Sequence, residues 1–171
     1  MTSKLVDIST AVLSAIETKR DTVSAWPAKS HWSGSPGFIL SKWESARTWL
    51  PYQALEDFPE GGKVWVIGMA SDDEKTESRG NTTKRIFPVQ VAFQIQVTDP
   101  QDSDHLDKLV ELHDQFREVC RLEVDPGQED FSWMSTESLK DDEGTPFSFM
   151  GLRQGSYFEA YFTAYYLSLL A

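Results

Sequence analysis

The segment that decides the fold is Phe87-Pro88-Val89-Gln90-Val91-Ala92-Phe93-Gln94-Ile95-Gln96-Val97. Its apolar residues occupy every odd position, and three of its even positions are glutamine. Successive side chains of a β-strand point to opposite faces of the sheet, so this alternation predicts a strand with one apolar and one polar face. We expect the odd face to lie in the core.

A helix is predicted directly after this strand. The segment Thr98–Asp102 breaks the alternation, and Asp102 or Ser103 can cap a helix N-terminus. The apolar residues that follow recur at helical spacing and share one side of a helix; they are Leu106, Leu109, Val110, His113, Phe116 and Cys120. The strand and this helix, which ends near Leu122, form the unit around which the rest of the chain is expected to pack.

The remaining elements follow from similar patterns. Residues 4–19 carry an apolar stripe and predict a first helix, whereas residues 45–48 and 131–134 predict short strands. Residues 63–69 are apolar on both faces, which is typical of a central strand or of one covered by another subunit. The segment from 147 to 170 has aromatic pairs every four residues, as in a helix, but its aromatic content and the turn before it favour a strand.

Two loops separate these elements: a Trp/Pro-rich loop at 21–37 and a polar hairpin loop at 71–84. The pattern predicts one α+β domain over residues 1–171. Its sheet should be mixed, mostly antiparallel, with about four to five strands and two main helices packed on one face.

The composition narrows the class of function. A net charge of −11 over 171 residues argues against a tight DNA or RNA ligand, because such binding depends on Lys and Arg neutralising phosphates. The single cysteine, Cys120, cannot form an internal disulfide, and its position on an apolar helix face predicts a buried thiol. No apolar run reaches the length of a membrane span, so we expect a soluble protein and no membrane partner.

No combination of residues indicates catalysis. The glycine pairs lack the Lys-Ser or Lys-Thr of a phosphate-binding loop, and Ser33-Gly34-Ser35 is not a hydrolase elbow. His105 and His113 lie eight residues apart rather than at the four-residue spacing of a helical zinc pair. The sequence therefore predicts no enzyme, no catalytic residue, no metal site and no cofactor.

Surfaces that bind other proteins are the alternative to a catalytic site. Gln90, Gln94 and Gln96 make a polar, uncharged strand face that suits a subunit contact or a lumen-facing sheet, although an ordinary solvated face fits equally well. Aromatic residues are enriched at interfaces, which adds Trp65, Tyr157 and Tyr161 as candidates, with core burial as their alternative fate.

The pieces, taken in order, resemble a known family. They are Arg47-Thr48-Trp49-Leu50-Pro51, Leu55-Glu56-Asp57, Val64-Trp65-Val66, Ser78-Arg79-Gly80, Pro88-Val89-Gln90-Val91-Ala92-Phe93-Gln94 and Leu106-Asp107-Lys108-Leu109-Val110-Glu111-Leu112. This series, which covers most of residues 5–122, and the ending Gly151-Leu152-Arg153 to Tyr165 resemble the tail terminator and tail completion proteins of long-tailed bacteriophages. The family's strand often carries basic residues where this chain has Gln94 and Gln96.

The resemblance implies a structural virion protein of the phage neck, made in the cytoplasm of the host bacterium. It implies a homo-oligomeric ring, commonly of six subunits, that caps the tail tube and joins the head–tail connector. The partners would be other copies, the tail tube protein and the connector protein, with DNA only as passing cargo. Arg79 becomes a candidate interface residue through its loop motif. A head-side connector or stopper is the alternative, and a small acidic enzyme or binding module remains a third possibility.

Overall fold

The computed structural model describes residues 3–22, 44–49, 63–69, 83–96, 101, 103–124, 131–138 and 157–170. These ranges form two helices and five strands: α1 (Lys4–Thr22), β1 (Glu44–Thr48), β2 (Lys63–Gly68), β3 (Thr83–Gln96), α2 (Ser103–Leu122), β4 (Phe131–Ser138) and β5 (Tyr157–Leu170). The predicted α+β class is confirmed.

All five strands belong to one mixed sheet in the order β1-β2-β3-β5-β4. Only β1 pairs in parallel, with β2, and the other three neighbouring pairs are antiparallel. The longest ladder joins β3 to β5, from Thr83 opposite Leu170 to Gln96 opposite Tyr157. Of the two alternatives for the 63–69 segment, the central strand is confirmed, because β2 has a strand on each side; cover by another subunit stays a prediction.

The odd positions of β3 from Phe87 to Ile95 lie in the core, as the alternation predicts. Val89, Val91 and Phe93 are fully buried and Ile95 is nearly so. They pack with α1 residues at four-residue spacing (Ile8, Val12, Ile16) and with α2 residues (Leu109, Leu112, Phe116, Val119, Cys120). Both helices therefore cover the same face of the sheet, which we call the core face.

Phe93 is at the centre of the contact between α2 and the sheet. Its ring centroid lies 5.3 Å from that of Phe116 on α2 and 5.9 Å from that of Phe158 on β5. His113 joins the cluster, with its ring centroid 6.0 Å from Phe93 and 5.5 Å from Phe162. These separations are typical of favourable aromatic pairs, so one side chain links β3, β5 and α2.

The C-terminal end of α2 is bonded to β5. The hydroxyl of the buried Tyr166 donates a 2.9 Å hydrogen bond to the carbonyl oxygen of Cys120. Carbonyls in the last turn of a helix have no partner within that helix, and this hydroxyl satisfies one of them. The contact fixes where α2 ends relative to the sheet.

Pro88 lies in the interior of β3 although proline normally avoids central strands. Its carbonyl accepts a 3.1 Å hydrogen bond from the Met69 N–H, on the β2 side. Because N–H and C=O of one strand residue point to the same side, the missing donor also faces that side. The β2 ladder ends beside it, at Gly68 opposite Val89, so the donor that proline lacks falls just past the end of this ladder, opposite Met69.

Several predicted boundaries need correction. The first helix extends past residue 19, and positions 21 and 22 of the predicted Trp/Pro-rich loop belong to it. The predicted 71–84 hairpin loop is too long, because Thr83 and Lys84 already pair with Leu170 and Leu169. The C-terminal segment is a strand, as we expected, because its backbone pairs with both β3 and β4. The predictions for 23–43, 50–62, 70–82 and 139–156 lie outside the described residues.

Replacement of Phe93 by alanine should lower the free energy of unfolding by about 3–5 kcal/mol, the usual cost of a large aromatic removed from a core. The Phe93→Leu variant is the matched control and should lose less, because it retains most of the buried volume. Urea denaturation followed by circular dichroism measures both. Equal stability of Phe93→Ala and the wild type would contradict the central position of this ring.

His113 predicts a pH dependence of stability. Its side chain is 1% exposed, neither ring nitrogen has a hydrogen-bond partner, and burial lowers its pKa despite the nearby Asp114 carboxylate. The unfolded chain therefore binds more protons below about pH 6.5, the ordinary histidine value, and stability should fall as the pH drops below it.

The test is the difference in unfolding free energy between the wild type and His113→Leu, measured between about pH 5 and pH 7.5. The variant should lack the part of the slope that histidine contributes. The raised pKa of Glu159 acts in the opposite sense and cancels in this difference. Identical slopes in both proteins would contradict a neutral buried His113.

Candidate interface on the second face of the sheet

The face of the sheet opposite the helices is formed by residues that sequence reasoning proposed for contacts. Directly paired residues point to the same face, so the register places Trp65 beside Ala92, and Ala92 beside Tyr161. Gln90 pairs with Ile67 and Thr163, and Gln94 pairs with Lys63 and Glu159. We call this surface the second face.

Four of the seven candidate interface residues have described side chains, and the register brings all four to the second face. Trp65 is 8% exposed and Gln94 is 3% exposed, whereas Gln90 and Tyr161 are half-buried. Gln96 and Tyr157 pair with each other at the end of the β3–β5 ladder, and only their backbone positions are described. Arg79 lies outside the described residues. The assignment of these residues to an interface stays a prediction.

Gln94 is bonded within its own chain. Its Nε2 donates a 3.2 Å hydrogen bond to Oε2 of Glu159 on β5, whereas its buried Oε1 accepts no hydrogen bond. Burial also raises the pKa of Glu159, because a carboxylate loses hydration there. The even positions of β3 are thus not uniformly solvated, and Gln90 retains more accessible surface than Gln94.

Trp65 is surrounded by residues of two strands. It pairs with Ala92, which is fully buried, and the ammonium of Lys63 lies 5.6 Å from the Trp65 ring centroid. A cation at this distance is attracted to the negative face of an indole ring. Trp65 belongs to a buried patch separate from the main core, because Trp65, Ile67 and Ala92 are buried but do not join the cluster under the helices.

The second face becomes more polar toward β4. The Tyr165 hydroxyl donates a 3.1 Å hydrogen bond to Oε2 of the exposed Glu137, and burial together with this carboxylate raises the pKa of Tyr165. The tyrosine therefore stays protonated as a donor throughout the physiological range. Sequence reasoning missed Glu137, Glu159 and Lys63 as members of this surface, because only the register of strands distant in sequence brings them together.

The described residues contain no candidate metal centre, and their one cysteine is buried. Within them, no group of three or more His, Cys, Asp or Glu side chains is placed to hold a metal ion. The predicted burial of Cys120 is confirmed, and desolvation raises its pKa to about 12, so the thiolate that would act as a nucleophile is disfavoured. Neither α1 nor α2 is long and apolar enough to cross a membrane.

Replacement of Gln94 by glutamate should destabilise the chain at neutral pH, because it places a second carboxylate against Glu159. We expect a loss of about 1–3 kcal/mol, the usual cost of a buried polar group without its partner. The loss should shrink at mildly acidic pH, where one carboxyl group is protonated, and in the double variant Gln94→Glu/Glu159→Gln. Urea denaturation at two pH values measures it, and an unchanged unfolding midpoint would contradict the contact.

Comparison with known proteins gives no assignment. No protein-family model matches the chain, and no curated protein matches it significantly.

Proposed function

We propose that this chain is a structural subunit of a long-tailed phage virion, a tail terminator that assembles as a ring. The ring would cap the tail tube and form part of the interface that joins tail and head. The support comes from the ordered motifs of the sequence. Those in the described residues lie on β1, β2, β3 and α2, which are parts of one sheet and of a helix packed on it.

The observation that carries the proposal is the composition of the second face. The described helices lie on the core face, and the second face combines half-buried Gln90 and Tyr161 with the more deeply buried Trp65. Uncharged polar and aromatic side chains are typical of surfaces that bind other proteins. A ring subunit needs such surfaces toward its neighbours, the tube and the connector.

The charge of the chain fits the passage of DNA through such a ring. At −11 per subunit, the protein repels phosphates unless its few cations are concentrated on the lumen. DNA would then pass through without adhering to the wall. A map of the electrostatic potential inside the assembled ring tests this point, and a basic lumen would contradict it.

Electron microscopy of the purified protein, alone and mixed with tail tubes assembled from the tube protein of the same genome, tests the function. A ring at one end of each tube, with tube length no longer increasing, is the expected result. Binding to heads but not to tubes would identify the alternative, a head-side connector or stopper. No binding to either, or a genome without tail genes, would overturn the proposal.

The Gln90→Glu variant tests the second face. Gln90 is half-buried, so the fold should tolerate a carboxylate there. At a contact with another protein, the charge would lose its hydration, which is unfavourable. We expect tube capping to weaken by about tenfold or more, as for a damaged contact residue. Thr10→Glu, at an exposed position of α1, adds the same charge elsewhere and should cap normally. Equal capping by both variants would remove the second face from the interface.

A further inference from the structure

The guanidinium of Arg47 lies against the ring of an exposed tryptophan, Trp49. The guanidinium carbon of Arg47, on β1, lies 5.3 Å from the centroid of the Trp49 ring, and Trp49 is 51% exposed. The exposed Met69 follows Gly68 at the same end of β2. Arginine, tryptophan and methionine are among the residues enriched at protein interfaces.

The tryptophan ring packs against the end of β2. A Cβ at Gly68 would lie 2.7 Å from Cζ3 of Trp49 and 3.3 Å from Cγ of Leu5, so the ring rests directly on the glycine backbone beside α1. An aromatic side chain already ordered in the free protein loses little entropy when it binds a partner. We call Arg47, Trp49 and Met69 the cationic patch.

The charge of Arg47 is not neutralised within the described part of the chain. No carboxylate there forms an ion pair with it, and its buried Nη1 donates no hydrogen bond. Two other cations differ from Arg47: Arg121 bonds Glu118 through two nitrogens at 2.8 and 3.2 Å, and Lys19 bonds Glu123 at 3.0 Å. A guanidinium with a desolvated nitrogen is stabilised when a carboxylate binds it, because the two charges attract and a charge-assisted hydrogen bond can form.

The outer side of α2 supplies such carboxylates. Asp107, Glu111, Asp114 and Glu118 follow at spacings of four, three and four residues, which places them on one side of the helix. Three of them are exposed and Glu111 is half-buried. Arg117 and Arg121 offset part of their charge near the C-terminal end. We call these four residues the acidic stripe.

The two surfaces lie toward opposite edges of the described sheet. The cationic patch follows β1, which forms one edge of the described sheet beside α1, whereas α2 packs over β5 and β4 at the other edge. Neither surface pairs well with its own copy, because like charges would meet. Each complements the other, and a contact between two different surfaces of identical subunits propagates from copy to copy and closes when the rotation allows a ring.

We propose that the cationic patch of one copy binds the acidic stripe of the next, and that this contact builds the ring. The inference rests on the proposed function for the ring itself, but it names the contact between subunits independently of the contact with the tail tube. The second face then remains for another protein of the assembly.

The test uses charge reversal on each side of the contact. Arg47→Glu alone, and Asp107→Arg/Glu111→Arg alone, should each weaken self-association by about tenfold or more. An equimolar mixture of the two variants should assemble again, because every contact in an alternating ring then joins opposite charges. Sedimentation velocity of each protein alone, and electron microscopy on tail tubes, measure assembly. Thr10→Glu/Ser14→Glu, at two exposed positions of α1, adds the same −2 as Arg47→Glu and should assemble as the wild type does.

The outcomes separate this contact from the function. The contact would be overturned if both reversal variants still formed rings like those of the wild type, or if the two variants failed to assemble when mixed. Neither result would bear on tube capping. A wild-type chain that remains monomeric both alone and on tubes would overturn the ring as well. Arg47→Gln removes the charge without adding a buried carboxylate, and it should weaken assembly less than Arg47→Glu. Circular dichroism of each variant checks that a loss of assembly is not a loss of the fold.

Discussion

The antiparallel ladder between β3 and β5 is the constraint on which the rest of the structure depends. It extends over the full length of both strands, and every other pair from Phe87–Tyr166 to Ile95–Phe158 contributes core side chains. A slip of one residue would move Phe93 and its partners to the opposite face, so the helices would lose the surface on which they pack. The aromatic contacts of Phe93 and the hydrogen bond from Tyr166 to α2 both require this register.

The same register creates the second face. Because side chains alternate, the ladder that collects apolar residues under the helices also places Gln90, Gln94, Glu159 and Tyr161 together on the other side. Stability and interaction surface are thus two results of one set of backbone hydrogen bonds. The hydrogen bond between Gln94 and Glu159 shows that part of this polar face stabilises the chain itself, so those groups are not free to bind a partner.

The proposed assembly needs at least two kinds of surface, and the structure separates them by layer. The second face lies on one side of the sheet, whereas the acidic stripe lies on the helix that covers the other side. Among the described residues, carboxylates bond Arg121 and Lys19, whereas the guanidinium of Arg47 lies against the Trp49 ring without a carboxylate partner. A partner that supplies carboxylates would therefore favour one orientation of neighbouring copies over the others.

The sequence by itself determined the elements whose periodicity is local. The alternation in β3 and the helical spacing in α2 predicted both elements, the buried odd positions and the buried Cys120, because these patterns reflect which side of a single element is apolar. Only the tertiary structure decided that Gln94 is buried against Glu159 and that Trp49 rests on Gly68 beside Arg47. Each of these depends on pairing between segments far apart in the chain, and no periodicity within one segment specifies which distant segment will lie beside it.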